Sequence, residues 1–223
     1  MWIKICANTS LEDAQIAVDA GADAVGFVFA ESPRRVHVAQ VSSITQHLPD
    51  TVEKIGVFVD ADFEEIVRSV AEAGLTGVQL HAGNDSLLPA KLRARCGSSL
   101  RILRVVHYAE DLEAQLSALC KDDAIDGVLI DSRTATAVGG TGTRYDWQAA
   151  RGSFVTAASR QRLVAAGGLK PENVAEAIRL LEPWGVDVAS GVESAPGKKD
   201  QARVLAFIEA AKNAAREIDL AAR

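Results

Sequence analysis

Residues 3–35 of the chain read IKICANTSLEDAQIAVDAGADAVGFVFAESPRR, and this stretch decides the fold. It begins within an apolar run, residues 2–6, that has the length of a short strand. Thr9 and Glu12 follow with the spacing of a capping box, which marks the start of a helix. A second apolar run covers residues 24–29. A strand, a helix and a strand in this order predict a βαβ unit, in which the strands are parallel and the crossover is right-handed.

The rest of the chain repeats this alternation without a linker or a break in composition. Apolar runs predict strands at residues 2–6, 24–29, 54–59, 77–80, 101–106, 127–130, 163–166 and 186–189. Helical spacing predicts a helix between Thr9 and Gly21, helices at 38–48, 62–73, 87–96 and 110–120, a short helix around Trp147, and helices starting at Pro171 and near Asp200. This alternation predicts a single α/β domain, residues 1–223, folded as a (β/α)8 barrel. A doubly wound open sheet shares most of the pattern and is the alternative.

Each helix is expected to pack one apolar face against the sheet. The expected inward residues include Leu11, Ala14 and Val18 of the first helix, Val174, Ile178 and Leu181 of the seventh, and Val204, Ile208 and Ala211 of the last.

The bulk composition narrows the class of protein. A net charge of -6 argues against a general nucleic-acid binder, and no apolar run is long enough to span a membrane. The start of the chain reads as a strand rather than a signal peptide. Three cysteines without paired spacing argue against a disulfide framework, so we expect a reducing, cytoplasmic location.

Two residues at predicted strand ends could carry acid–base chemistry. Cys6 is predicted to be the last residue of the first strand, and Asp131 closes the sixth, GVLI. Parallel α/β folds place their active sites at this C-terminal edge of the sheet. Cys6 also precedes a helix N-terminus, which would stabilise a thiolate. Cys96 and Cys120, at predicted helix ends, are expected to be buried structural thiols.

The loops after the last two strands are rich in glycine. Gly167 and Gly168 follow the seventh strand, and Ser190 and Gly191 follow the eighth. Barrels commonly bind phosphate between these two loops through backbone amides, and glycine lets the backbone approach the anion. A further glycine-rich stretch, residues 139–142, matches no nucleotide-binding fingerprint and reads as a flexible loop or a mobile cover over the site.

Three basic residues lie near the predicted site. Arg34 and Arg35, in the loop after the second strand, could each bind a carboxylate bidentately. Lys4 shares a strand face with Cys6 and is expected to neutralise an inward acid such as Asp187. The four histidines lack metal-ligand spacing, so we expect no metal.

Many short motifs together resemble phosphoribosylanthranilate isomerase. The resemblance rests on Lys4-Ile5-Cys6 with Thr9, Glu12-Asp13-Ala14, GADAVGFVF (21–29), GVFV (56–59), VQLH (78–81), GGTG (139–142) with Asp146-Trp147, AGGLKPENV (166–174), VDVASGVE (186–193) and PGKKD (196–200). These motifs run through nearly the whole chain in the family's order, so the resemblance is specific.

The resemblance implies a TIM barrel of tryptophan biosynthesis that acts without a cofactor on a small phosphosugar substrate, as a monomer or a homodimer. The reaction would be the Amadori rearrangement of N-(5'-phosphoribosyl)anthranilate. By the family's pattern, Cys6 matches the general base, Asp131 the general acid and Arg35 the arginine that holds the anthranilate carboxylate. Gly167, Gly168, Ser190 and Gly191 fall in the phosphate-binding loops.

Two positions depart from the family's pattern. Ala7 stands where a glycine usually follows the cysteine, and Ala82 interrupts the usual His-Gly after the fourth strand. An alanine beside the base would restrict the loop if that position needs a positive φ. A phosphate-binding barrel that has lost catalysis is therefore one alternative. Another is the histidine-pathway isomerase, which catalyses the same kind of rearrangement, although Cys6 argues against that family's two-aspartate pair.

Overall fold

The computed structural model describes residues 1–81, 85–109, 111–132 and 145–221. The strands are β1 Trp2–Ile5, β2 Ala24–Val28, β3 Glu53–Phe58, β4 Gly77–Leu80, β5 Arg101–His107, β6 Gly127–Asp131, β7 Leu163–Ala165, β8 Gly185–Val188, β9 Glu193–Ala195 and β10 Lys198–Lys199. The helices are α1 Leu11–Asp19, α2 Val38–Thr45, α3 Phe63–Glu72, α4 Leu88–Cys96, α5 Leu112–Leu119, α6 Trp147–Ala158, α7 Val174–Leu181 and α8 Gln201–Ala221.

Strands β1 to β8 form one closed barrel in chain order, with every neighbouring pair parallel. The barrel closes between β1 and β8, where Trp2 lies opposite Gly185 and Ile5 opposite Val188. The amide of Cys6 continues this seam by donating to the Val188 carbonyl at 2.8 Å. The predicted (β/α)8 barrel is therefore confirmed, and the open doubly wound sheet is wrong.

Alternate side chains of each strand serve two separate cores. The barrel interior is packed by Trp2, Ala24, Ile55, Leu103, Val105, Leu129, Val164 and Ala166. The intervening residues, such as Ile3, Ile5 and Val186, pack outward against the helices. The predicted inward faces of α7 and α8 are confirmed, because all six residues are buried. Of the three inward residues predicted for α1, only Ala14 is buried, whereas Leu11 is 38% exposed and Val18 is half-buried.

Helix α1 begins one residue later than the sequence pattern suggested. Ser10 is its N-cap, and the Ser10 hydroxyl accepts a hydrogen bond from the amide of Asp13 at 3.1 Å. Thr9 lies one residue before the cap, and its hydroxyl donates to the Gly197 carbonyl at 2.6 Å. The predicted Thr9–Glu12 capping box is therefore wrong by one residue.

Other boundaries also differ from the prediction. Cys6 lies one residue beyond β1 rather than at its end. The helix at Trp147 is not short but has 12 residues. The seventh helix begins at Val174 rather than at Pro171. A 3₁₀ turn, Ser190–Val192, and an antiparallel hairpin of β9 and β10 follow β8 and were not predicted.

Among the residues that the structure describes, no helix combines the length and the apolar character needed to cross a membrane.

Candidate active site

Cys6 and Asp131 both lie at the C-terminal end of the barrel, as the sequence predicted. Cys6 follows β1 and is 5% exposed, and Asp131 ends β6 and is 3% exposed. Strand alternation places both side chains on the barrel interior, since Trp2 and Leu129 of the same strands are interior residues. The two groups therefore reach the same rim from strands far apart in sequence.

The thiol of Cys6 packs against β2 through a glycine. A Cβ added at Gly26 would stand 2.7 Å from Cys6 Sγ, so only glycine leaves room for the thiol at this point. Burial raises the pKa of Cys6 above its ordinary value, and the ammonium of Lys4 opposes this rise. The protonated thiol is thus favoured until a nearby group or the reaction itself takes up its proton.

A buried ion pair lies directly below the thiol. Lys4 Nζ donates to Asp187 Oδ1 at 2.7 Å and to Gln79 Oε1 at 2.9 Å. Burial acts to lower the pKa of Lys4, but Asp187 and Cys6 outweigh it and the net shift is upward. The expectation that Lys4 neutralises Asp187 is confirmed. Lys4 is therefore a fixed positive charge beside the candidate base.

Asp131 is packed against the loop that follows β7. Gly167, at φ 78°, lies so close that an added Cβ would stand 2.6 Å from Asp131 Oδ1. Tyr145 is also nearby: burial raises the pKa of its phenol, and the negative charge of Asp131 adds to the rise. These two neighbours restrict where the carboxylate can move.

Two further polar side chains at this rim were missed from the sequence. His107 ends β5 opposite Asp131, and its ring centroid lies 6.0 Å from that of His81. Within the described parts of the chain, His107 Nδ1 and Tyr145 Oη are buried without a hydrogen-bond partner. The strand-end rule that selected Asp131 applies equally to His107. Nothing in the local sequence marks Tyr145, which lies in a loop.

The predicted phosphate loops lie against each other. A Cβ added at Gly191 would collide with the carbonyl oxygen of Leu169, so the loops after β7 and β8 touch at this glycine. Gly168 has φ 66°, a conformation that favours glycine. Among the described residues, the amides of Gly168, Ser190 and Gly191 donate to no carbonyl oxygen. Unused amides at adjacent loops are what an anion needs.

The two arginines after β2 have different partners. Arg34 donates from Nε and Nη2 to both carboxylate oxygens of Glu193, at 2.7 to 3.1 Å. Arg35 bridges to Val28 at the end of β2, so it lies at the same rim. Its side chain is 43% exposed and pairs with the exposed carboxylate of Glu31. Arg34 is thus occupied within the fold, and Arg35 is the more accessible cation.

Ala7 has φ 63°, so the position after the cysteine does require a left-handed backbone.

Ala82 and the glycine-rich stretch 139–142 lie outside the described residues. Cys96 and Cys120 pack against the core at helix ends but are half-buried, so the expectation of buried thiols is met only in part. Burial nevertheless raises the pKa of Cys120.

Comparison with known proteins gives consistent matches along the chain. Residues 3–210 match the family model of N-(5'-phosphoribosyl)anthranilate (PRA) isomerase. The chain is 43% identical over 211 residues to N-(5'-phosphoribosyl)anthranilate isomerase of Pelobacter propionicus, covering 94% of this chain and 95% of that protein. It is 41% identical to the Geobacter sp. protein of the same name, covering 94% and 97% of the two chains.

Solved structures agree with these matches. The barrel superposes with a TM-score of 0.81 and 36% identity on phosphoribosyl anthranilate isomerase from Thermotoga maritima, covering 96% of this chain and 99% of that one. A phosphoribosyl anthranilate isomerase in complex with reduced 1-(o-carboxyphenylamino)-1-deoxyribulose 5-phosphate gives a TM-score of 0.80 at 35% identity and the same coverage. Monomers generated from the dimeric T. maritima protein also give 0.80, at 34% identity and the same coverage.

Proposed function

Because the chain belongs to the N-(5'-phosphoribosyl)anthranilate isomerase family, we propose that Cys6 and Asp131 are the base and the acid of its reaction. The protein is an isomerase of tryptophan biosynthesis, and the family's reaction converts N-(5'-phosphoribosyl)anthranilate to 1-(2-carboxyphenylamino)-1-deoxyribulose 5-phosphate. The observation that carries the assignment is a buried thiol and a buried carboxylate at one rim of the barrel. The complex of a related isomerase with a reduced form of this product supports the choice of substrate.

The rearrangement needs an acid for its first step. Asp131 donates a proton to the furanose ring oxygen, the bond from C1 to that oxygen breaks, and the nitrogen lone pair forms the C1=N bond of a protonated Schiff base. The backbone at Gly167 packs closely against the carboxyl group, where a side chain would collide with it.

The second step needs a base. Cys6 removes the proton from C2, and the electron pair of that C–H bond forms the C1=C2 bond of an enolamine as the C1=N bond becomes single. Tautomerisation then moves the C2 hydroxyl proton to C1 and gives the ketose. Protons alone change place, so no electron carrier is required. The burial that raises the pKa of Cys6 also makes its thiolate a stronger base, and Lys4 supplies the compensating positive charge.

The substrate phosphate is proposed to bind the amides of Gly168, Ser190 and Gly191, together with the neighbouring Gly167 loop. The support is that these amides have no carbonyl acceptor among the described residues and that the two loops touch. A dianion held by several backbone amides needs no lysine. Binding of the phosphate in this place would orient the sugar across the rim between Cys6 and Asp131.

Arg35 is proposed to hold the anthranilate carboxylate. Its guanidinium is accessible, lies at the same rim and is paired with the exposed carboxylate of Glu31. An exposed ion pair of this kind contributes little, so a substrate carboxylate can displace Glu31. The oligomeric state, monomer or homodimer, stays a prediction, although a dimeric relative is known.

The direct test is to mix the purified protein with N-(5'-phosphoribosyl)anthranilate and follow the loss of anthranilate fluorescence. Complementation of a tryptophan auxotroph that lacks this step provides the cellular counterpart. A folded protein that binds a product analogue but leaves the fluorescence unchanged would instead be a phosphate-binding barrel. Turnover of the histidine-pathway aldose alone would favour that isomerase.

A further inference from the structure

A buried lysine outside the proposed acid–base pair is bonded to the backbone of the candidate base. Lys199, in strand β10, is 3% exposed. Its Nζ donates to the carbonyl oxygen of Cys6 at 2.5 Å and to that of Ala189 at 3.3 Å. It therefore joins the residue that follows β1 to the residue that follows β8.

The ammonium of Lys199 is itself held in place by a carboxylate. Lys199 Nζ lies 3.2 Å from Glu193 Oε1, and Glu193 accepts the two-point hydrogen bonds of Arg34. The Lys199 amide donates to Asp13 Oδ1 at 2.8 Å, which fixes the backbone of the hairpin. Burial lowers the pKa of Lys199, and Glu193 opposes that shift. Loops from β1, β2 and β8 thus meet at this one ammonium.

The peptide that Lys199 holds is an unusual one. It joins Cys6 to Ala7, and Ala7 occupies the left-handed region with φ 63°. An alanine adopts this conformation only when its surroundings impose it. Asn8 restrains the far side of the turn, because its Nδ2 donates to the carbonyls of Ile5 and Gly26 at 2.8 and 3.1 Å. On the near side, Lys199 fixes the Cys6 carbonyl.

We propose that Lys199 is a positioning residue for Cys6: its ammonium holds the Cys6–Ala7 peptide in the orientation that directs the thiol at C2 of the substrate. This proposal rests on the base role given to Cys6 above. Lys199 does not touch the substrate, so its removal should slow the C2 proton transfer and leave substrate binding intact.

The test compares Lys199→Met with Lys198→Met. Lys198 is exposed, lies in the same strand and carries the same charge. Its replacement therefore controls for the effects of a substitution in the hairpin and of a lost positive charge. We expect Lys199→Met to lower kcat by about 10-fold to 100-fold, the effect of misplacing a reacting group by about an ångström. The affinity of Lys199→Met for a product analogue should stay within about twofold of that of the unmodified protein. The kcat of Lys198→Met should also stay within about twofold of the unmodified value.

The deuterium isotope effect with C2-deuterated substrate separates positioning from mere structural support. If Cys6 is misdirected, proton removal from C2 becomes more rate-limiting and the isotope effect on kcat rises. Lys199→Arg keeps a buried charged donor, and we expect an intermediate kcat with the same rise in isotope effect. If Lys199→Met does not fold, the kcat and the isotope effect of Lys199→Arg test the proposal.

Three outcomes are distinguishable. A folded Lys199→Met with an unchanged kcat overturns the proposal, as does a reduced kcat with an unchanged isotope effect in whichever variant folds. If the unmodified protein itself fails to isomerise the substrate, the proposed function has failed, and the positioning role fails with it.

Discussion

At the scale of single residues, the proposed acid–base pair of Cys6 and Asp131 depends on how one proton is shared. An acid and a base that act in one cycle work while a single proton is held between them. Burial favours the proton on Cys6, and Lys4 stabilises the thiolate that forms when the proton moves. The environment of the thiol therefore allows both protonation states that the reaction needs.

Replacing either member of the pair should nearly abolish turnover. In Asp131→Asn the ring oxygen receives no proton, and in Cys6→Ser the hydroxyl is a far weaker base than a thiolate. Positioned proton transfer is typically worth about 10²–10⁴-fold, so we expect a loss of that size in kcat for each variant. Product-analogue titration should give near-native affinity for both. A Cys6→Ser variant that retains about a tenth of the activity would mean that this thiol is only packed.

The rate should also fall in alkaline solution. Once the thiol ionises, the pair has lost its shared proton, so kcat/KM should fall as pH rises through the pKa of Cys6. Because that pKa is raised, we expect the fall above the ordinary thiol value of 9.0. The measurement is kcat/KM against pH, with circular dichroism to confirm folding at each point. A fall in kcat/KM centred well below that value would show that a group other than Cys6 causes it.

Replacing Arg35 should weaken substrate binding, whereas replacing its neighbour Glu31 should not. Arg35→Ala removes a charged contact to the substrate carboxylate and should weaken binding by about 1.5–3 kcal/mol. Glu31→Gln removes the competing carboxylate, so we expect equal or tighter binding. Titration with a product analogue measures both. Unchanged affinity in Arg35→Ala would remove Arg35 from the site.

Residues at strand ends could be predicted from the sequence, but contacts made by distant loops could not. Cys6 and Asp131 follow from the rule that parallel strands end at the active rim. Lys199 was missed because its role arises only when the unpredicted hairpin folds back beneath Cys6. The Lys4–Asp187 pair could be anticipated because both residues face inward on strands that meet where a barrel closes.

At the scale of elements, the loop after β7 packs against Asp131, the proposed acid. Gly167 has φ 78°, and an added Cβ would collide with Ser132 as well as with Asp131. Gly167→Ala should therefore displace the carboxylate and lower kcat by about 100-fold or more, with some loss of stability. Turnover and urea unfolding measure the two effects. Full activity in this variant would show that Asp131 tolerates the shift.

Gly152 provides a control, because its replacement by alanine should stabilise the protein rather than destabilise it. It lies in α6 and is exposed, and a Cβ added there meets nothing within 4 Å. Gly152→Ala should raise the free energy of unfolding by up to about 1 kcal/mol and leave kcat unchanged. A similar loss of activity in both variants would indicate a general effect of glycine replacement.

Most helices and strands could be predicted because hydrophobic periodicity reports which face is buried. Their ends could not be predicted as well, since caps depend on tertiary contacts. Thr9 has the right chemistry for an N-cap, but Ser10 is the cap, and the Thr9 hydroxyl instead donates a hydrogen bond to the distant Gly197 carbonyl. Strands β9 and β10 have 3 and 2 residues, too few for a periodic pattern to appear.

At the scale of the whole molecule, the buried ionisable groups make stability depend on pH. The pKa values of Cys6, Tyr145 and Lys4 are raised from 9.0, 10.0 and 10.5. The folded state then holds protons that the unfolded state releases, so stability is lost as pH rises through these values toward the folded pKa values. Lys199, with a lowered pKa, acts in the opposite direction.

We therefore expect the free energy of unfolding to fall from about pH 9 upward, with a slope of about 1.4 kcal/mol per pH unit for each proton held only by the folded state. Urea unfolding between neutral and alkaline pH gives this slope. Tyr145→Phe removes one titrating phenol and should reduce the slope. An unchanged or steeper slope in that variant would exclude Tyr145 as a contributor.

The bond between Lys199 and the Cys6 carbonyl joins residues 193 positions apart, and this affects when the enzyme becomes active during its synthesis. Ribosomes add about 5–20 residues per second, so the thiol is made about 10–40 s before the ammonium that holds its carbonyl. Strand β1 must also wait for β8 before the barrel can close. A nascent chain thus carries the Cys6 thiol through most of translation without the geometry to use it.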